Sequence, residues 1–184
     1  MLIDVHSATL VVIDLQERLI PAIAGGDAVV ERAAILIDAA RTLDVPIIVT
    51  EQYPKGLGPT VPAIKQALPN NASIIAKLSF SAGKNPDFIE RWSAERAQGR
   101  HQVVLCGTET HVCVLQSALD LMARGAEVFL AIDAVGSRRD SDRTAALSRL
   151  SAQGVQCVTS EMVVFEWLEV AGTPQFKTIS KLIK

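Results

Sequence analysis

Short aliphatic runs alternate with longer stretches of helical spacing along this chain, and that alternation restricts the fold more than any other feature. The runs at 8–13, 47–50, 73–76, 102–106, 128–132 and 155–158 are brief and mostly rich in Val and Ile, as strands are. After Gly25-Gly26-Asp27, the residues Val29, Ala33, Leu36, Ala40 and Leu43 recur at helical period, and Pro46 closes the segment. Residues 85–98 read as a second helix ahead of Gly99. Residues 111–124 read as a third, with Val112, Leu115, Leu119 and Met122 on one face and Gly125 placed to stop it. Residues 140–153 read as a fourth, acidic in its first turn and followed by Gly154. The tail from Pro174 puts Phe176, Ile179 and Ile183 on one side and reads as a docked helix. Residues 52–62, rich in Pro and Gly, read as an irregular loop.

Strands joined by crossover helices build a parallel sheet buried on both faces. The expected fold class is therefore α/β: a three-layer sandwich with a mostly parallel central sheet and helices on both faces. Residues 1–184 read as a single domain, without linker, repeat or low-complexity stretch. Aromatic residues are only 4% of the chain, so Val, Ile, Leu and Ala must fill the interior.

The 18 basic and 20 acidic residues are dispersed and sum to −2, with no basic stripe, which argues against nucleic acid and membrane surfaces as partners. The N-terminus lacks a positive n-region, and the apolar run 8–13 is too short to span a bilayer, so a soluble cytoplasmic protein is expected. Cys106, Cys113 and Cys157 are an odd, sparse set and no disulfide framework. His6, His101 and His111 show no metal-ligand spacing, and no CxxC or HExxH occurs, so neither metal nor cofactor is expected.

Ligands of open parallel sheets bind beyond the carboxyl ends of the strands. Asp14 ends the first run, Lys77 ends the third, and Cys113 begins the helix after the fourth. An acid, a base and a thiol thus fall on one sheet edge. A helix N-terminus favours a thiolate and offers N–H groups to a developing oxyanion. Each residue also has a plainer reading. Cys113 reads as a small buried hydrophobe, and so, more strongly, do Cys106 and Cys157. Asp14 reads as the cap of a helical turn at 15–20, Asp133 is a rival strand-end acid, and Lys77 reads as a solvated lysine.

The segment Val-Val-Leu-Cys-Gly-Thr-Glu-Thr-His-Val-Cys-Val (103–114) resembles the nucleophile signature of isochorismatase-like cysteine hydrolases. Leu10-Val-Val-Ile-Asp-Leu-Gln16 resembles that superfamily's opening strand, and Ile75-Ala-Lys77 with Ser79-Phe80 its lysine segment. Asp133-Ala-Val-Gly-Ser-Arg138 is similar to a later element. Thr50-Glu-Gln-Tyr-Pro-Lys-Gly-Leu-Gly-Pro-Thr-Val61 resembles the isochorismatase-domain-containing subgroup. The resemblance implies hydrolysis of an amide-type C–N bond of a small molecule through a thioester. Asp14 is then the base, Cys113 the nucleophile, and Lys77 the group that stabilises the thiolate and keeps Asp14 ionised and oriented. It also implies a cis peptide at Thr108–Glu109 and an oxyanion hole from the backbone N–H groups of Glu109 and Cys113. A homo-oligomer is implied too, with the apolar stretches 165–168 and 176–183 as candidate interface.

The chain departs from metal-dependent nicotinamidases, since Glu51-Gln52-Tyr53-Pro54 stands where they carry metal-binding Asp and His residues. Isochorismatases proper cleave a vinyl ether without a cysteine nucleophile, so Cys113 argues against that reaction. Gln52 and Tyr53 are candidate substrate contacts on a loop that reads equally as lid and as surface connection. Leu78 and Phe80 are candidates for an apolar pocket wall. His111 reads as a polar helix-start residue rather than a second base. Two other classes stay open: a catalytically silent binding or oligomeric protein, and a redox sensor using Cys113 with Cys106 as resolving thiol. A dinucleotide-binding oxidoreductase is disfavoured, because Gly56-Leu57-Gly58 is not GxGxxG and opens no helix after a strand.

Overall fold

The computed structural model describes residues 1–70 and 72–183. Strands β1 (Ala8–Ile13), β2 (Ile47–Gln52), β3 (Ser73–Lys77), β4 (Gln102–Thr108), β5 (Glu127–Gly136) and β6 (Gln156–Val158) form one sheet in the order β3-β2-β1-β4-β5-β6. Every neighbouring pair is parallel, so the sheet is parallel throughout, not merely for the most part. The chain steps outward from β1 through β2 to β3, then returns to the other flank of β1 at β4 and steps outward again. That reversal makes the carboxyl ends of β1 and β4 the switch point, where a crevice opens.

β1 is buried along its whole length, and its pleat divides the core. Leu10 and Val12 pack with helices α1 (Gly26–Thr42), α3 (Pro62–Ala67), α7 (Ser160–Leu168) and α8 (Pro174–Ile179). Val11 and Ile13 face the other layer, built from α4 (Pro86–Arg96), α5 (Leu115–Ala123) and α6 (Asp140–Ala152). Crossover helices on both faces are what continuous aliphatic strands require, and the three-layer α/β expectation holds. None of the helices is long and apolar enough to cross a membrane, among the described residues.

Several sequence expectations are corrected. Residues 52–62 are not irregular: α2 (Pro54–Leu57) forms there, because Pro54 is preset for a first helical turn. The helix read from 111 opens instead on a π-helical turn, Thr110–Val114, before α5. Asp133 lies inside the longer β5, not at a strand end. Its carboxylate accepts from the N–H (2.7 Å) and Oγ (2.5 Å) of Ser160, anchoring the start of α7. Of the proposed interface stretches, Trp167, Leu168 and Ile179 are buried in this chain's own core and Phe165 is exposed, with Met162 and Val170 exposed just outside them. Cys106 is buried as expected, but Cys157 is exposed, because β6 is a short edge strand.

Candidate active site

At the switch point the backbone comes first. Gly107 has φ +119°, and a Cβ there would lie 2.0 Å from the carbonyl oxygen of Ile13. Only glycine lets β4 run this close to the end of β1. One residue on, Thr108 Oγ1 donates to the main-chain carbonyl of Asp14 at 2.7 Å. Asp14 itself sits at φ +49°, which turns the chain out of β1 and its side chain into the sheet edge.

The Asp14 carboxylate has no solvent exposure and is held from two sides. Oδ1 accepts from Thr50 Oγ1 and Oδ2 from Lys77 Nζ, both at 2.7 Å. Lys77 closes β3, is equally buried, and also donates to Gln52 Oε1 at 2.8 Å and to the Phe80 carbonyl at 3.0 Å. Those three short contacts, with a longer one to the Ser79 carbonyl at 3.4 Å, leave the ammonium fully satisfied in place. A desolvated ion pair is tolerated only with such saturation. Asp14 is therefore no helix cap, and Lys77 is not a solvated lysine.

Cys113 lies in the π-helical turn, 6% exposed, with Sγ 4.0 Å from Gln52 Oε1. Its thiol is pushed up to about 12, chiefly by burial and then by the Asp14 charge, while Lys77 pulls the other way more weakly. Burial and the Asp14 charge thus work against the thiolate expected from a helix N-terminus and Lys77. The Gln52 amide is fixed in orientation, since Lys77 can only donate to its oxygen while Nε2 donates to the Leu78 carbonyl at 2.9 Å. Its oxygen therefore faces the sulfur.

Cys113 opens onto a cleft of about 320 Å³, whose wall includes Leu57, Phe80, Gln52, Glu109 and Arg138. The Thr108–Glu109 peptide beside it is cis. The Glu109 carboxylate accepts from the main-chain N–H of Arg138 at 3.2 Å and from its Nε at 2.9 Å. Tyr53 and Leu78 do not line this cleft. The Tyr53 ring lies over Gly56, where a Cβ would come within 2.4 Å of it, and Leu78 points to solvent. His111 turns away, with Nδ1 3.0 Å from Ser137 Oγ and Nε2 4.0 Å from Asp142. Segment 52–62 is tied down as a wall: Gln16 Nε2 donates to the carbonyls of Gln52 (3.0 Å) and Gly58 (2.6 Å), and Glu51 accepts from Thr60 twice at 2.7 Å. A larger groove of about 890 Å³ runs between the N-terminus and α7, but it holds neither the thiol nor the ion pair.

Sequence reasoning named Thr108 and Glu109 only for the cis peptide and the oxyanion hole, and missed the side-chain bonds of Thr50 and Thr108 to Asp14 and the Glu109–Arg138 pair. Arg138 lay in a segment already singled out, and its partner lay within the nucleophile segment. No pattern in either signalled that they meet. Thr50 opened the subgroup-like segment 50–61, but nothing there signalled its hydrogen bond to Asp14.

Residues 8–162 match the family described as Isochorismatase domain. The mouse Isochorismatase domain-containing protein 2A is 41% identical over 97% of this chain and 84% of its own. A solved structure titled MAR1 ribonuclease from Caenorhabditis elegans superposes with TM-score 0.93 at 39% identity, covering 100% of this chain and 92% of that one. Two YcaC structures superpose with TM-score 0.89. The one from Pseudomonas aeruginosa, with hexane-2,5-diol and covalent acrylamide, is 29% identical over 98% of this chain and 91% of that one. The one from Escherichia coli, described as an octameric hydrolase of unknown specificity, is 28% identical over 99% and 90%.

Proposed function

The chain belongs to the isochorismatase-like superfamily, in its isochorismatase-domain-containing subgroup, and on that premise we propose that it is a cysteine-dependent hydrolase cleaving a C–N bond of a small amide through a thioester on Cys113. One observation carries the proposal. A buried, fully satisfied Asp14–Lys77 pair stands beside a thiol that opens onto a small, largely apolar cleft.

Because burial and the Asp14 charge work against a resting thiolate, the thiol proton must leave as the bond forms. Asp14 takes the S–H proton while Sγ attacks the carbonyl carbon, and the oxyanion is received by the backbone N–H groups of Glu109 and Cys113. Collapse breaks the C–N bond, and Asp14 passes its proton to the departing amine. Water then adds to the thioester, giving its proton to Asp14. The acid leaves, and the proton returns to the sulfur. Lys77 holds the carboxylate in place through both halves.

The covalent acrylamide of the Pseudomonas YcaC structure supports a nucleophile in that relative, since acrylamide is an electrophile of the kind thiols attack. The redox-sensor alternative loses support. A sensor needs an accessible thiolate, whereas burial works against one at Cys113 and Cys106 packs in the core on the opposite face of the sheet. By analogy with the octameric Escherichia coli relative, we also propose a homo-oligomer, read by light scattering. The unpaired cysteines suit the reducing cytoplasm, which fractionation would test.

The deciding experiment offers a panel of small amides to the protein and to Cys113→Ala, with mass spectrometry of quenched mixtures. Amine release that needs Cys113, with a hydroxylamine-labile acyl adduct on it, is expected. Amine release surviving Cys113→Ala overturns the proposal. RNA belongs in the same panel, because the Caenorhabditis relative is titled a ribonuclease. Cleavage of RNA but of no amide would give that reading priority.

A further inference from the structure

Glu109 and Arg138 are the charged residues in the wall of the Cys113 cleft, and they are unequally available. The Glu109 side chain is 11% exposed and is engaged by two donors of Arg138, whereas the Arg138 side chain is 60% exposed. Glu109 takes only the inner edge of the guanidinium. Nη1 and Nη2, with four of its five N–H groups, are left outward at the cleft. The hold on Nε and the main-chain N–H also fixes the fork, so little further ordering is needed when an acceptor arrives. The charges deeper in the site cannot compete, because Asp14 and Lys77 have no exposed side-chain surface. Leu19, Leu57, Phe80 and Val112 complete an apolar wall.

We propose that Arg138 is a specificity-determining residue: the cleft selects a small amide whose apolar body carries a carboxylate, gripped by the outer guanidinium nitrogens while the scissile carbonyl lies at Cys113 Sγ. A carboxylate fits better than a phosphate, because one guanidinium fork matches one carboxylate in two-point geometry and, among the described residues, no second cation lines the cleft. The inference rests on the reading of Cys113 as nucleophile.

The test uses two acrylamides that differ only in charge, N-acryloylglycine and N-acryloylglycinamide. Their rates of addition to Cys113 are followed by peptide mass spectrometry, and the acid-to-amide ratio is normalised to that for 2-mercaptoethanol. The normalised ratio is expected to be about ten-fold in the native protein, to fall to one or below in Arg138→Gln, and to be intermediate in Arg138→Lys. Loss of Arg138 should slow the acid reagent more than the neutral one, a split that a purely structural role would not give. A ratio near one in the native protein, or a preference that survives Arg138→Gln, overturns the carboxylate assignment and leaves the nucleophile standing. Labelling of the exposed Cys157 by both reagents with none at Cys113 overturns the nucleophile, and this inference with it.

Discussion

Replacing Asp14 by Asn should make Cys113 more reactive toward alkylation while destroying turnover, and the two effects have one cause. With the thiol pushed up to about 12 by burial and the Asp14 charge, the thiolate is a small minority at pH 8. Asp14→Asn removes the nearby negative charge and leaves Lys77, whose ammonium then has the thiolate as its natural counter-ion. A unit charge about 4 Å away interacts by about 4 kcal/mol at an effective dielectric of 20, and about 1.4 kcal/mol is one pKa unit. A rise in alkylation rate of at least about ten-fold at pH 8 is therefore expected. Amide turnover should fall by about 10²–10⁴, because no group remains to take the proton in the transition state. Breaking a buried pair also costs about 3–5 kcal/mol of stability, so circular dichroism and a thermal melt must first show a folded variant. The assay is iodoacetamide labelling of Cys113 across pH 6–10, read by peptide mass spectrometry beside amine release. Slower labelling in Asp14→Asn than in the native protein would refute the reasoning, since Asp14 would then activate the resting thiol rather than hold it neutral.

The other predictions follow from the same contacts. Lys77→Met should slow Cys113 labelling relative to the native protein, because the group that lowers the thiol's pKa is lost and Asp14 is left uncompensated; the labelling series above reads it directly. Gly107→Ala should cost more than about 3 kcal/mol in a urea titration, since it joins a positive φ to a 2.0 Å approach to Ile13. Asp133→Ala should cost about 1–3 kcal/mol by the same measure, by freeing both Ser160 donors at the start of α7. Cys106 is pushed up to about 12 by burial and by Asp133. A raised folded pKa stabilises the fold below the unfolded value, and that stability drains away as pH climbs toward the folded one. Native stability should therefore fall by about 1.4 kcal/mol per pH unit for this group between about pH 9 and 12, and Cys106→Val should remove that share of the slope in urea titrations.

The layering was legible in the chain because a parallel strand buried on both faces has to be aliphatic throughout. Residues 8–13, 102–106 and 128–132 could be little else, and the helices between them carried their own period and stops. The placement of reactive groups at strand ends was legible for the same reason: Asp14, Lys77 and Cys113 each stand where a strand or the turn after it stops. Periodicity did not separate Asp14 from Asp133. The tertiary structure does, because Asp14 meets Thr50 and Lys77 across the sheet edge whereas Asp133 sits within β5 and meets Ser160. Local composition misread residues 52–62, where Pro54 starts a turn that Gln16 and Glu51 then pin from outside the segment. The protonation state of Cys113 was beyond sequence for a deeper reason. A helix start and a nearby lysine argue for a thiolate, but the outcome depends on how much solvent the sulfur loses and how close the Asp14 charge comes. Both are set by contacts between β1, β3 and the turn after β4, segments far apart in the chain, so the sequence by itself determined which groups stand at the switch point and only the folded structure decided how they are buried and partnered.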